Sequence, residues 1–142
     1  MRRIIRSFAP IALAFVTLAA LAAGCGGARN YTVRGSQRDP GADAQLQVER
    51  IDGGNNLITF TGRNMTPPDR LGSGYTRYVI WVRTGTAPAQ MEANVAYDPS
   101  SRSGRATATT PHQRFTVMVT AERAQETGTP SDAVIFTQNV AP

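Results

Sequence analysis

Tyr75-Thr76-Arg77-Tyr78-Val79-Ile80-Trp81-Val82-Arg83 is the stretch that decides the fold. Tyr78 to Val82 are apolar without a break, and β-branched and aromatic side chains dominate. Such side chains fit a pleated strand, and apolar residues on both alternating faces mark a strand covered on both sides. Downstream, Gly85 to Ala89 interrupts the run, and Ala93, Val95 and Tyr97 then alternate with other residues. Asp98 to Gly104 is a turn, from which Arg105 to Thr110 returns as alternating Ala and Thr until Pro111. Phe115, Val117, Val119 and Ala121 line one face of the next strand. Residues 122–132 read as a loop and Ala133 to Thr137 as a last strand. Upstream, residues 64–74 are a loop, and residues 45–62 are a hairpin around Asp52-Gly53-Gly54-Asn55-Asn56.

About seven strands with turns every 8–12 residues predict an all-β, immunoglobulin-like antiparallel β-sandwich. Composition agrees: from Cys25 on there are three Leu and 15 Thr, which favours strands over helices. The chain has 142 residues with 15 Arg, no Lys, 10 acidic residues, one Cys and one His, for a formal charge of +5. That balance alone points to an anionic partner. However, three Arg and no acid fall in residues 1–24, which leaves 12 Arg against 10 Asp and Glu, or +2, on residues 25–142. These arginines are dispersed and lack the dense basic stripe with aromatics that nucleic-acid recognition uses, so nucleic acid is excluded as a partner.

Residues 1–24 have three parts. Arg2, Arg3 and Arg6 form a positive start, Phe8 to Ala23 are apolar apart from Pro10 and Thr17, and Ala22-Ala23-Gly24 close with small residues. This layout is that of a secretory signal peptide, with a helical apolar core too short for a permanent span. The junction Leu21-Ala22-Ala23-Gly24-Cys25 resembles the bacterial lipobox, with Ala22 three residues before the cysteine where Leu is commonest. The resemblance implies cleavage between Gly24 and Cys25 and diacylglycerol on the Cys25 thiol. An exported compartment is oxidising, and acylation disposes of a lone thiol there. The expected organisation is a signal at 1–24, a lipidated flexible tether at 25–43 and a β-sandwich at 44–142, with Tyr31-Thr32-Val33 as an alternative first edge strand. The membrane is then one partner, through the lipid. The location is the cell membrane or the outer membrane, facing the periplasm or exterior; Gly26 after the cysteine tilts toward the outer one.

Little in the chain can carry chemistry. One His and one acylated Cys cannot build a Zn or Cu site, so neither a metal nor another cofactor is expected. Asp39 with Asp43, or Asp52 with Asn55 and Asn56, supply oxygens for Ca²⁺ but lack EF-hand spacing. His112 reads as an exposed loop residue rather than a catalytic base. Glu122 and Glu126 read as solvated charges rather than a hydrolytic pair. Trp81 reads as sandwich core, and Tyr75 and Tyr97 are the aromatics expected on a binding face. Arg102 and Arg105, flanking one turn, are candidate contacts to anionic lipid.

From Tyr75 on, Tyr78-Val79-Ile80-Trp81-Val82, the Tyr97-Asp98 to Gly104 hairpin, Phe115 to Glu122 and Thr129-Pro130-Ser131 resemble the extracytoplasmic C-terminal domain of anti-sigma-K factors. That domain has a Tyr-x-x-Trp strand and a Thr-x-Glu strand end. Here Ser131 follows Pro130 where the family has Gly, and the sigma-binding half is absent. The resemblance implies the outer domain's fold and not sigma inhibition. The expected function is a non-catalytic, lipid-anchored envelope module that contacts an envelope protein or polymer. The alternative is an accessory sensor or regulator of an envelope-stress pathway.

Overall fold

The computed structural model describes residues 27–125 and 128–142. The signal segment, Gly24, Cys25 and Glu126 lie outside the described residues. The strands are β1 (Arg29–Arg34), β2 (Asp43–Arg50), β3 (Asn56–Arg63), β4 (Tyr75–Arg83), β5 (Gln90–Asp98), β6 (Ser103–Thr110), β7 (Phe115–Arg123) and β8 (Val134–Val140). Only two single 3₁₀ turns, Asp52–Gly54 and Pro68–Arg70, interrupt this all-β chain among the described residues.

All pairings are antiparallel, in the order β1-β2-β3-β6-β5-β4-β7-β8. β5 turns the sheet back on itself: its residues 90–95 pair with β4, whereas Ala96 to Asp98 pair with β6. The two ends of the order, β1 and β8, then come into contact, which leaves the sheet nearly closed. At one end of this seam the Arg29 guanidinium donates to the Ala141 carbonyl. At the other, Ser36 donates its N–H to the Ile135 carbonyl at 2.8 Å and its hydroxyl to the Val134 carbonyl at 2.7 Å. β1 enters at what we term the proximal end, and the β1–β2, β3–β4, β5–β6 and β7–β8 connections lie at the distal end.

β4 is the central strand that its sequence predicts, flanked by β5 and β7. Its two faces do different work. Tyr78, Ile80 and Val82 point inward and join Leu46, Val48, Ile58, Phe60, Val117, Val119 and Ile135 in the main core. Val79 and Trp81 point outward and form a second cluster with Met118, under Ala89 and Met91. The expectation that Trp81 fills the sandwich core is therefore corrected. It is buried at 3 % exposure, but on the outside of the sheet.

The first strand is a second correction. Arg29 to Arg34 pair along their whole length with β2, Tyr31 opposite Leu46 and Val33 opposite Ala44. Thus the stretch expected as a flexible tether to residue 43 belongs to the fold from residue 29 on, and the alternative reading of Tyr31-Thr32-Val33 as an edge strand is the one realised. Asp39, in the connection that follows, is buried.

The distal mouth is plugged by Met65, which has no exposed surface. Gly62 on β3 sits directly opposite Gly104 on β6. A Cβ on Gly62 would lie 2.4 Å from the Met65 sulfur, and one on Gly104 2.7 Å from the Val95 side chain. Two glycines facing each other thus leave the space that the plug fills.

Asp98 closes the β5–β6 turn. Its carboxylate accepts from the Ser100 hydroxyl at 2.7 Å, the Ser101 hydroxyl at 2.7 Å and the Ser100 N–H at 2.9 Å. These bonds, the Ser100 hydroxyl foremost, hold the carboxyl down at about 2 against an ordinary 3.8. The lowered value means that this contribution to stability is complete above pH 3.8 and is lost as pH falls through about 2. In thermal unfolding, Asp98→Asn should lose less of its midpoint between pH 5 and pH 2 than the wild type. Equal losses would show that the turn does not sense this proton.

Candidate functional site

Of the four residues expected to form a binding face, three are occupied in holding the distal mouth together. The segment Asn64–Thr66 carries the plug, and side chains from elsewhere satisfy its backbone. Arg102 donates Nε to the Met65 carbonyl at 3.1 Å and a terminal nitrogen to the Asn64 carbonyl at 2.9 Å. The Tyr97 hydroxyl donates to the same Met65 carbonyl at 3.0 Å, and the Tyr78 hydroxyl donates to the Thr66 carbonyl. Asp39 accepts both the Thr66 N–H at 2.8 Å and the Thr66 hydroxyl at 2.9 Å. Burial pushes the Tyr78 phenol up, and it does the same for Tyr97. The rings of Tyr78 and Tyr97 meet edge to face at 5.4 Å. Buried polar groups cost little once bonded in this way, so the cluster reads as scaffold.

Tyr75, expected as an exposed aromatic, is corrected: it is 5 % exposed. Its hydroxyl donates to Asp132 at 2.9 Å while the Arg123 guanidinium lies over its ring at 5.0 Å. Asp132 also pairs with Arg38 at 2.7 Å. The Tyr75 hydroxyl, then Arg38, holds the Asp132 carboxyl below the usual carboxylate range. The chain Arg38–Asp132–Tyr75–Arg123 thereby ties the β1–β2 connection to β4 and β7 at the distal end. Arg105 is exposed on the outer face of β6, beside Thr61 of β3.

The outer cluster around Trp81 continues into a hydrogen-bond chain. The Trp81 indole N–H donates to the Thr120 hydroxyl at 2.8 Å, and Thr120 in turn donates to the Glu122 carboxylate. Glu122 also accepts the Ser131 N–H at 2.8 Å, and the Ser131 hydroxyl donates to the Ala121 carbonyl at 2.6 Å. Arg77 stands opposite Glu122 in register. Glu122, expected to be a solvated charge, is instead buried at 7 % exposure. Thr120 and Glu122 lie two residues apart and so share one strand face, and Trp81 reaches that face diagonally from β4. The Thr-x-Glu spacing was the available sequence signal; its link to Ser131 carried none.

The interior offers no ligand chamber. Its largest void, about 10 Å³, lies under the β1–β8 seam between Val33, Leu46, Phe60, Val119 and Phe136. Such a void admits one water at most. Open hollows of about 270 and 600 Å³ flank Gly27 and Arg50 at the proximal end. Among the described residues no group of three His, Cys, Asp or Glu converges on a point. The oxygens considered for Ca²⁺ are engaged in the scaffold: Asp39 by Thr66, Asp43 by the Asn64 amide at 2.9 Å, and Asn56 by its 2.8 Å bond to the His112 carbonyl. His112 is exposed, as its sequence setting predicts.

No family model, curated protein or solved structure matches the chain. Among the described residues no helix is long and apolar enough to cross a membrane.

The surface that remains for contact is the outer side of β1, β2, β3 and β6. Thr32, Gln45, Gln47, Thr107 and Thr109 are exposed there. This side contrasts with the Trp81 side, where the chain's own residues bury the apolar cluster.

Proposed function

We propose that this chain is a lipid-anchored, non-catalytic module of the cell envelope that works by contact with an envelope protein or polymer. The observation that carries the reading is the junction Leu21-Ala22-Ala23-Gly24-Cys25 placed four residues before Arg29, where β1 begins. Four residues span at most about 14 Å, so acylation at Cys25 would hold the barrel against the bilayer surface. Two or three acyl chains anchor a protein stably, where one is marginal. A filled interior and ionisable side chains committed to the scaffold support contact rather than catalysis. The finer fold reading, an immunoglobulin-like sandwich extended by β1, is supported by the long-range pairs β3–β6 and β4–β7 and by the division of β5 between two partners.

Cys25→Ser should release the chain from membranes during a carbonate wash or leave it with an uncleaved signal. Complete retention of a processed Cys25→Ser chain would end the lipid-anchor reading.

A second reading, an accessory of an envelope-stress pathway, draws on the resemblance to the outer domain of anti-sigma-K factors. In its favour, the residues that carry the resemblance, Trp81, Thr120 and Glu122, form one hydrogen-bonded unit. A deletion strain with every stress regulon unchanged would dismiss it.

A further inference from the structure

The open outer face of β1, β2, β3 and β6 has an ordered composition. One row across the four strands reads Asn30, Gln47, Thr59, Thr107, and the next begins Thr32, Gln45, Thr61. No charge stands in this field. Arg34 and Arg63 border it distally, Glu49 and Arg105 at corners.

We infer that this face is a docking surface for a neutral polysaccharide bearing hydroxyl and acetamido groups. The inference rests on the envelope-contact reading and names its partner class. Strand geometry spaces the side chains about 4.8 Å apart across strands and about 6.8 Å apart along them. Each hydroxyl and each amide both donates and accepts, as sugar hydroxyls and acetamido groups do. The threonines are stiff at χ1, so little entropy is lost on docking. The Gln45 amide already donates to the Thr32 hydroxyl at 3.1 Å, which holds that pair in place. Threonine methyls and half-buried Leu57 supply apolar contact for the C–H faces of sugar rings. The neutral field complements a neutral partner: a phosphate, an acidic peptide or an anionic lipid would find no counter-charge at its centre.

The test is sedimentation of the full chain, purified in detergent, with insoluble chitin as the probe. Wild-type chain should sediment with it. The double variant Thr59→Glu, Thr107→Glu should lose about tenfold in affinity, the scale of about 1.4 kcal/mol. Thr137→Glu, exposed on β8, should bind as the wild type does. Should the glutamate pair disturb folding, Thr59→Val, Thr107→Val keeps the shape and β-propensity while removing both hydroxyls, and should show the same loss. Failure of the wild type to sediment, or equal binding by both double variants, overturns the inference. Membrane partition measured on the same chain separates the two ideas. Partition without chitin binding removes the glycan surface alone, and chitin binding without partition removes the anchor alone.

Discussion

Trp81→Ala should lower the unfolding free energy by about 3–5 kcal/mol, the usual cost of emptying a large aromatic site. The side chain is 3 % exposed and packs with Val79 and Met118 on the outside of the sheet. The variant also removes the donor to Thr120, the hydroxyl that bridges to Glu122. Trp81→Phe keeps most of the contact area and loses only that donor, so it should cost about 1–2 kcal/mol. Urea unfolding followed by far-ultraviolet circular dichroism measures both, because Trp81 is the only tryptophan and fluorescence is lost with it. A cost below about 1 kcal/mol for the alanine variant would mean that the outer cluster contributes nothing as packing.

Met65→Ala should cost about 2–5 kcal/mol, since the plug has no exposed surface and its site is framed by backbone at Gly62 and Gly104. Gly62→Ala should cost about 1–3 kcal/mol for the opposite reason, a Cβ driven to 2.4 Å from the Met65 sulfur. The pair carries the sharper expectation. With Met65 shortened, the added methyl has room, so the double variant should be less destabilised than the two single costs combined. Strict additivity would show that the glycines are not there for Met65.

Strand positions were legible because this chain writes them in short apolar runs bounded by turn residues. Tyr78 to Val82 read as a central strand, and Asp52 to Asn56 as a hairpin turn; both stand in the structure. What escaped were features made by distant partners. β1 carries only Tyr31 and Val33 as apolar markers and becomes a strand because β2 accepts it along six residues. Trp81 lies in a run that is apolar on both faces, so alternation could not say which face was inside. Tyr75, Tyr97 and Arg102 were sensible surface residues by type. Their polar ends instead serve Asp132 and the backbone of Asn64 and Met65, contacts between connections far apart in the chain. Asp39 and Glu122 were missed for the same reason. A buried carboxylate is recognised by what donates to it, and Thr66 lies 27 residues from Asp39. The open face shows only once register places Thr59 beside Thr107.

The account's central claim is attachment through Cys25, and one measurement addresses it directly. Membranes from cells producing the chain are extracted, and the N-terminal peptide is sequenced by mass spectrometry. The account predicts a peptide that begins at Cys25 and carries diacylglycerol on its sulfur. A peptide that begins at Met1, or at any residue after cleavage elsewhere with the Cys25 thiol unmodified, would contradict it.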